Sequence, residues 1–165
     1  MADTRYLLDA NVFITAFRQY YPFDFAPGFW KCLEERAKTG RIQSIDRVKD
    51  ELLKGNDDLA KWANGSIAEA FAATDDPAVI TVYSQIMAWA QAQEQFMEAA
   101  KAEFARCADG WLVAYAKVHG LIVVTHETFS AEARKRVLIP NVCKAFGVEY
   151  LDTWAMLRGL GAKLG

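Results

Sequence analysis

The sequence predicts an α/β protein built on a mainly parallel sheet with helices on both faces. Short apolar runs alternate with helical stretches along the whole chain. The clearest run, Leu121-Ile-Val-Val-Thr125, is continuously apolar, as a strand buried on both faces of a parallel sheet requires. Gly40, Gly120 and Gly147 each stop a helical stretch just before a candidate strand.

In chain order, Arg5-Tyr-Leu-Leu-Asp9 reads as the first strand, halted by Asp-Ala-Asn. A helix starts near Asn11 and gives way to an aromatic stretch, where Pro22 and Pro27 argue for an irregular loop. Phe29, Trp30, Leu33 and Ala37 recur at helical spacing. Arg41-Ile-Gln-Ser-Ile45 is the second strand, and Asp46 is placed to cap a helix carrying Val48, Leu52 and Leu53. From Asp57 to Cys107 the sequence reads as strongly helical, in about three segments broken at Gly65 and at Asp75-Asp76-Pro77. A helix from about Asp109 to His119 leads into the Leu121 strand. Pro140 then opens a short helix, Val148-Glu-Tyr-Leu151 forms a strand, and Asp152 caps a terminal helix.

The 165 residues suit one domain spanning 1–165. With 53% hydrophobic and 24% charged residues, disorder is excluded, and the longest apolar runs are too short to cross a bilayer. The N-terminus lacks a hydrophobic region followed by a small-residue cleavage site, so a cytoplasmic location is the expectation. Cys32, Cys107 and Cys143 are odd in number and widely spaced, which argues against a disulfide framework or a zinc site. The net charge of −2 lacks a general nucleic-acid-coating bias but leaves a local, metal-neutralised site open.

In an open parallel sheet, ligands gather where strands end at their carboxyl termini. Asp9 ends the first strand, and Thr125-His126-Glu127 ends the Leu121 strand. Asp109 lies in the first turn of the helix feeding that strand, so right-handed crossovers bring it to the same edge. Glu51 sits at the border of its helix's apolar face. Carboxylates held together repel, and a cation relieves them. An all-oxygen set favours Mg²⁺ or Mn²⁺, and such ions activate water against a phosphodiester. Each residue also has a plainer role: Asp9 in a turn, Asp109 at a helix dipole, Glu51 and Glu127 on solvated surface. Their joint placement favours a site.

These positions resemble the PIN-domain family. Leu8-Asp9-Ala10-Asn11-Val12-Phe13 is similar to its opening motif, Val48-Lys-Asp-Glu51-Leu52 to its helical Val-x-x-Glu-Leu element, and Ala108-Asp109-Gly-Trp-Leu112 to its Asp-bearing helix. Val124-Thr125-His126-Glu127 resembles its Thr-x-Asp strand end, with Glu replacing Asp. The resemblance implies a three-layer α/β/α sandwich with a central, mainly parallel sheet. It also implies Mg²⁺ or Mn²⁺ dependence and cleavage of RNA to leave a 5′-phosphate. Many small members are VapC-like toxins of toxin–antitoxin pairs, often dimeric and silenced by an antitoxin; the aromatic insertion after the first strand points to a separate branch. Carried over, Asp9, Glu51 and Asp109 are the main catalytic metal ligands, Glu127 is the fourth, directly or through a water, and Asn11 orients Asp9 or a metal-bound water.

Around this set, Thr125 is a supporting residue and His126 a candidate phosphate contact or acid, though a lone His beside a strand end is more often simply satisfied or solvated. The Arg134-Lys135-Arg136 run is a candidate RNA-backbone contact, against its plainer reading as a solvated face. Six aromatics, Tyr20, Tyr21, Phe23, Phe25, Phe29 and Trp30, read either as a packed loop anchor or as a platform for an antitoxin or RNA bases. On the docking reading, deleting residues 20–25 abolishes partner binding and spares nuclease activity. The competing functions are a non-catalytic PIN-like module that binds RNA or protein, and an aspartyl phosphatase. The phosphatase expects Asp-x-Asp where this chain has Asp9-Ala10-Asn11.

Overall fold

The apolar runs form a five-stranded, wholly parallel sheet in the computed structural model, which describes residues 4–163. The strands are β1 (Tyr6–Leu8), β2 (Ile42–Ile45), β3 (Phe71–Ala72), β4 (Ile122–Val124) and β5 (Tyr150–Leu151), in the order β3-β2-β1-β4-β5. Tyr6 aligns with Ile42 on one side and Ile122 on the other, and Leu8 aligns with Val124. Leu7, Leu8, Ile42, Ile45, Val123 and Val124 are fully buried, as strands covered on both faces must be.

Between β1 and β2 run α1 (Ala10–Thr15) and α2 (Pro27–Lys38); between β2 and β3 run α3 (Asp46–Leu53) and α4 (Asp58–Asn64). The long return to β4 carries α5 (Pro77–Ala92), α6 (Glu98–Arg106) and α7 (Asp109–His119), followed by α8 (Ile139–Phe146) before β5 and α9 (Thr153–Gly159) after it. Because chain travel reverses direction at β1, right-handed crossovers place α1–α4 on one face and α5–α8 on the other. Packing agrees: α1 lies against α3, and α7 against α5 and α8. The result is the expected α/β/α sandwich. No described helix is long and apolar enough to cross a membrane.

Capping chemistry sets several boundaries. Asp57, Asp76 and Asp152 each accept a backbone amide at the start of α4, α5 and α9. Gly120 and Gly147 take the left-handed conformation that ends α7 and α8.

Three expectations need correction. The stretch from Asp57 to Cys107 is not all helical: Phe71–Ala72 adds an edge strand, pairing Ser44 with Phe71 and Ile45 with Ala72. Asp46 does not cap α3 but lies in its first turn, where its carboxylate accepts the Thr74 amide at 3.1 Å and the Thr74 hydroxyl at 2.9 Å, tying α3 to the chain leaving β3. The aromatic stretch is less irregular than its prolines imply. Residues 16–20 continue α1 as a π-helical turn, and Pro27 starts α2 in the first-turn position that tolerates proline.

The aromatic side chains are structural for the most part. Tyr21 stacks on Phe29 at 4.5 Å, Phe23 packs on Trp30 at 4.6 Å, and Trp30 meets Trp62 edge-on at 4.8 Å. The Trp30 indole donates to the Tyr21 carbonyl at 2.6 Å. Only Tyr20 and Phe25 remain at the surface.

Candidate active site

The sheet order reverses between β1 and β4, the place where parallel sheets open a crevice at their carboxyl edge. Asp9 follows β1 directly, and its amide donates to the Val124 carbonyl at 3.0 Å. Thr125 follows β4, and its amide donates to Leu151 at 3.0 Å. The ladder therefore fixes both residues side by side at the crevice floor. Thr125 is fully buried; its hydroxyl donates to Asp9 Oδ2 at 3.1 Å and accepts the Glu127 amide at 3.1 Å.

α7 begins at Asp109 and presents that buried carboxylate to the same crevice. Glu51, from α3, accepts the Ala108 amide at 3.1 Å, so α3 and the start of α7 are pinned together beside Asp109. The crevice has a volume of about 880 Å³ and is lined by Asp9, Asn11, Glu51 and Asp109, with Glu103, Lys54, Arg106, Lys135 and Arg136 at its walls.

Glu127 is close by but does not line the crevice. Its Oε1 accepts the Ile139 amide at 2.8 Å, where α8 begins. Its Oε2 lies 2.8 Å from Arg136 Nη2, close enough for strong attraction yet not aligned as a hydrogen bond. The same guanidinium nitrogen is 3.8 Å from Asp109 Oδ2.

Burial and mutual repulsion leave this cluster short of positive charge. Burial first, then the charges of Asp109 and Glu127, push the Asp9 carboxyl well above the usual range, against the lowering pull of the Thr125 hydroxyl and the Asn11 backbone amide. Asp109 is raised to about 7 by burial and then by Glu127, with Arg136 opposing. The Cys107 thiol is pushed to about 12 by burial and then by Asp109, so it is no nucleophile at neutral pH.

Among the described residues, no three His, Cys, Asp or Glu side chains stand together in a metal-holding group. Glu127 is engaged by Ile139 and Arg136, and one Glu51 oxygen by Ala108. The donor chemistry nevertheless fits Mg²⁺ or Mn²⁺. Asp9 and Asp109 supply hard oxygen donors that carry an electrostatic penalty without a cation, and Mg²⁺ needs only one or two carboxylates alongside its retained waters.

The remaining sequence-derived residues divide. Asn11 lines the crevice, but the side-chain hydrogen bond that orients Asp9 comes from Thr125. His126 turns away: its Nε2 lies 3.2 Å from the Thr153 hydroxyl and its ring packs against Trp154, where burial keeps its pKa below the ordinary value. The basic run does not act as a unit. Lys135 and Arg136 line the crevice, whereas Arg134 borders a separate surface hollow with Glu94 and Glu132. Lys54 and Arg106 flank the Glu51 and Asp109 motifs without belonging to them, so nothing local marks either; folding brings both to the crevice.

Solved structures share this fold. A FitAB complex bound to an IR36 DNA fragment matches with a TM-score of 0.56 at 20% identity, covering 90% of this chain and 95% of that one. FitAcB from Neisseria gonorrhoeae matches at 0.55 and 22% identity, covering 90% and 98%. VapBC2 from Rickettsia felis, bound to a DNA fragment from their promoter, matches at 0.55 and 13% identity, again over 90% and 98%. At these identities the likeness establishes a PIN-like fold. A search among curated proteins gives no match. The family model "Domain of unknown function (DUF4411)" matches residues 6–164, and the chain belongs to that family.

Proposed function

We propose that this chain is a Mg²⁺- or Mn²⁺-dependent endoribonuclease and the toxin of a toxin–antitoxin pair. The observation that carries the reading is the convergence of two buried carboxylates, Asp9 and Asp109, on one crevice at the β1/β4 switch point, with Glu51 beside them and Glu127 close by. A divalent cation bound there supplies an activated water and charge neutralisation at the scissile phosphate. Asp9 and Asp109 would hold it, with Glu51 and Glu127 as the further carboxylates able to assist. Thr125 holds Asp9 in orientation, and Lys54, Lys135 and Arg106 provide the positive rim along which an RNA backbone lies.

The partner assignment draws support from the fold shared with the FitAB and VapBC2 assemblies. An antitoxin protein is the corresponding partner here. The deciding experiment is cleavage of labelled single-stranded RNA in Mg²⁺, Mn²⁺ or EDTA, wild type beside Asp9→Asn. Metal-dependent cleavage lost in the variant supports nuclease and site together. Absence of cleavage by folded, metal-loaded wild type discards the nuclease reading in favour of a binding module.

A further inference from the structure

We propose that Arg136 is an internal cation that competes with a divalent metal for this crevice, covering Glu127 when the metal is absent. This rests on the metal-dependent reading above but concerns a residue that reading does not require.

One guanidinium nitrogen reaches two candidate ligands, 2.8 Å from Glu127 Oε2 and 3.8 Å from Asp109 Oδ2. Arg136 lines the crevice and Glu127 does not, while the two side chains meet at 2.8 Å. Glu127 cannot turn a second oxygen inward, because Oε1 is held by the Ile139 amide at 2.8 Å. Oε2 is buried and without an aligned hydrogen bond, so attraction to Arg136 alone satisfies it.

The position of Arg136 is built into the loop joining β4 to α8. Gln95 Nε2 donates to the carbonyls of Ala131 at 3.2 Å and Ala133 at 2.8 Å, and the Met97 amide donates to Arg134 at 2.9 Å. Upstream again, the Asn141 amide group bridges both backbone groups of Ser130, and downstream Val137 is buried directly after the arginine. The backbone is thus fixed on both flanks, while the Arg136 side chain is 56% exposed and has room to swing outward. A guanidinium and a divalent cation on the same oxygens repel, so each weakens the other's hold by the same factor. Displaced, Arg136 stays at the crevice wall beside Lys135, where its planar fork suits a phosphate.

The test is a calorimetric titration of the full chain with Mn²⁺, comparing wild type, Arg136→Gln and Gln95→Ala, with thermal unfolding before and after saturation. Arg136→Gln is expected to bind Mn²⁺ about tenfold tighter, a typical coupling between linked sites, and to gain more in unfolding temperature on saturation than wild type. Gln95→Ala, which loosens the loop without touching the crevice, shifts affinity the same way by a smaller factor and decides the matter if Arg136→Gln does not fold. Equal or weaker Mn²⁺ binding by the folded variant overturns the proposal and leaves the nuclease reading intact. No Mn²⁺ binding by any of the three proteins overturns both. Tighter binding without RNA cleavage upholds the competition and removes only the nuclease.

Discussion

The Thr125 hydroxyl donates to Asp9 Oδ2 at 3.1 Å while accepting the Glu127 amide at 3.1 Å, so one buried oxygen couples the ends of β1 and β4. Replacing it by the isosteric Thr125→Val leaves the Glu127 amide without its acceptor and the buried Asp9 carboxylate without its side-chain donor. The expected loss of stability is about 1–2 kcal/mol, read by denaturant unfolding. Activity is expected to fall about 10–100-fold, as when an outer partner of a metal ligand is removed. Full activity in a folded variant would show that Asp9 needs no such support.

Asp109 sets a pH dependence for the metal-free protein. Its carboxyl is raised from the ordinary 3.8 to about 7, so the folded state favours the protonated form. That stabilisation is fully present below about pH 4, lost as pH rises through 7, and level above that. Asp109→Asn keeps the neutral form at every pH. Without metal it is expected to be more stable than wild type by about 2–4 kcal/mol at pH 8, and to match wild type near pH 4. Unfolding curves at the two pH values check this, and a variant less stable at pH 8 contradicts it.

Much of this site was legible because strand ends and helix starts carry their own signals. Asp9 and Glu127 stand where apolar runs stop, Asp109 opens a helix before another run, and parallel topology then brings them to one edge. What escaped depends on contacts distant in sequence. Phe71–Ala72 lies in an alanine-rich stretch with no strand periodicity and exists because β2 offers it a free edge. Arg136 is one of three adjacent basic residues, and nothing local separates it from Arg134; the Gln95 and Asn141 anchors do so only after folding.

The aromatic stretch yields a prediction opposite to that of a detachable docking loop. Tyr21 and Phe23 pack on Phe29 and Trp30, which lie in the core, so deleting residues 20–25 is expected to unfold the protein rather than to spare its activity. Trp30→Ala alone is expected to cost about 3–5 kcal/mol. Phe25→Ser, at a side chain 82% exposed, is expected to change stability by less than about 0.5 kcal/mol. Thermal unfolding of the three variants separates an anchor from a platform.

Glu127 stands where the resembled motif carries Asp, and the structure explains the extra methylene. From the end of β4 its carboxylate spans to the Ile139 amide at the start of α8 and to Arg136. Glu127→Asp restores the usual residue but withdraws the carboxylate from Ile139, leaving a helix-start amide unpaired. Stability is therefore expected to fall by about 1 kcal/mol. Cleavage is also expected to fall, because the loop loses its register against α8. Mn²⁺-supported RNA cleavage and unfolding of Glu127→Asp, measured together, test this directly. A variant as stable and at least as active as wild type would mean that the longer side chain serves neither the loop nor the site.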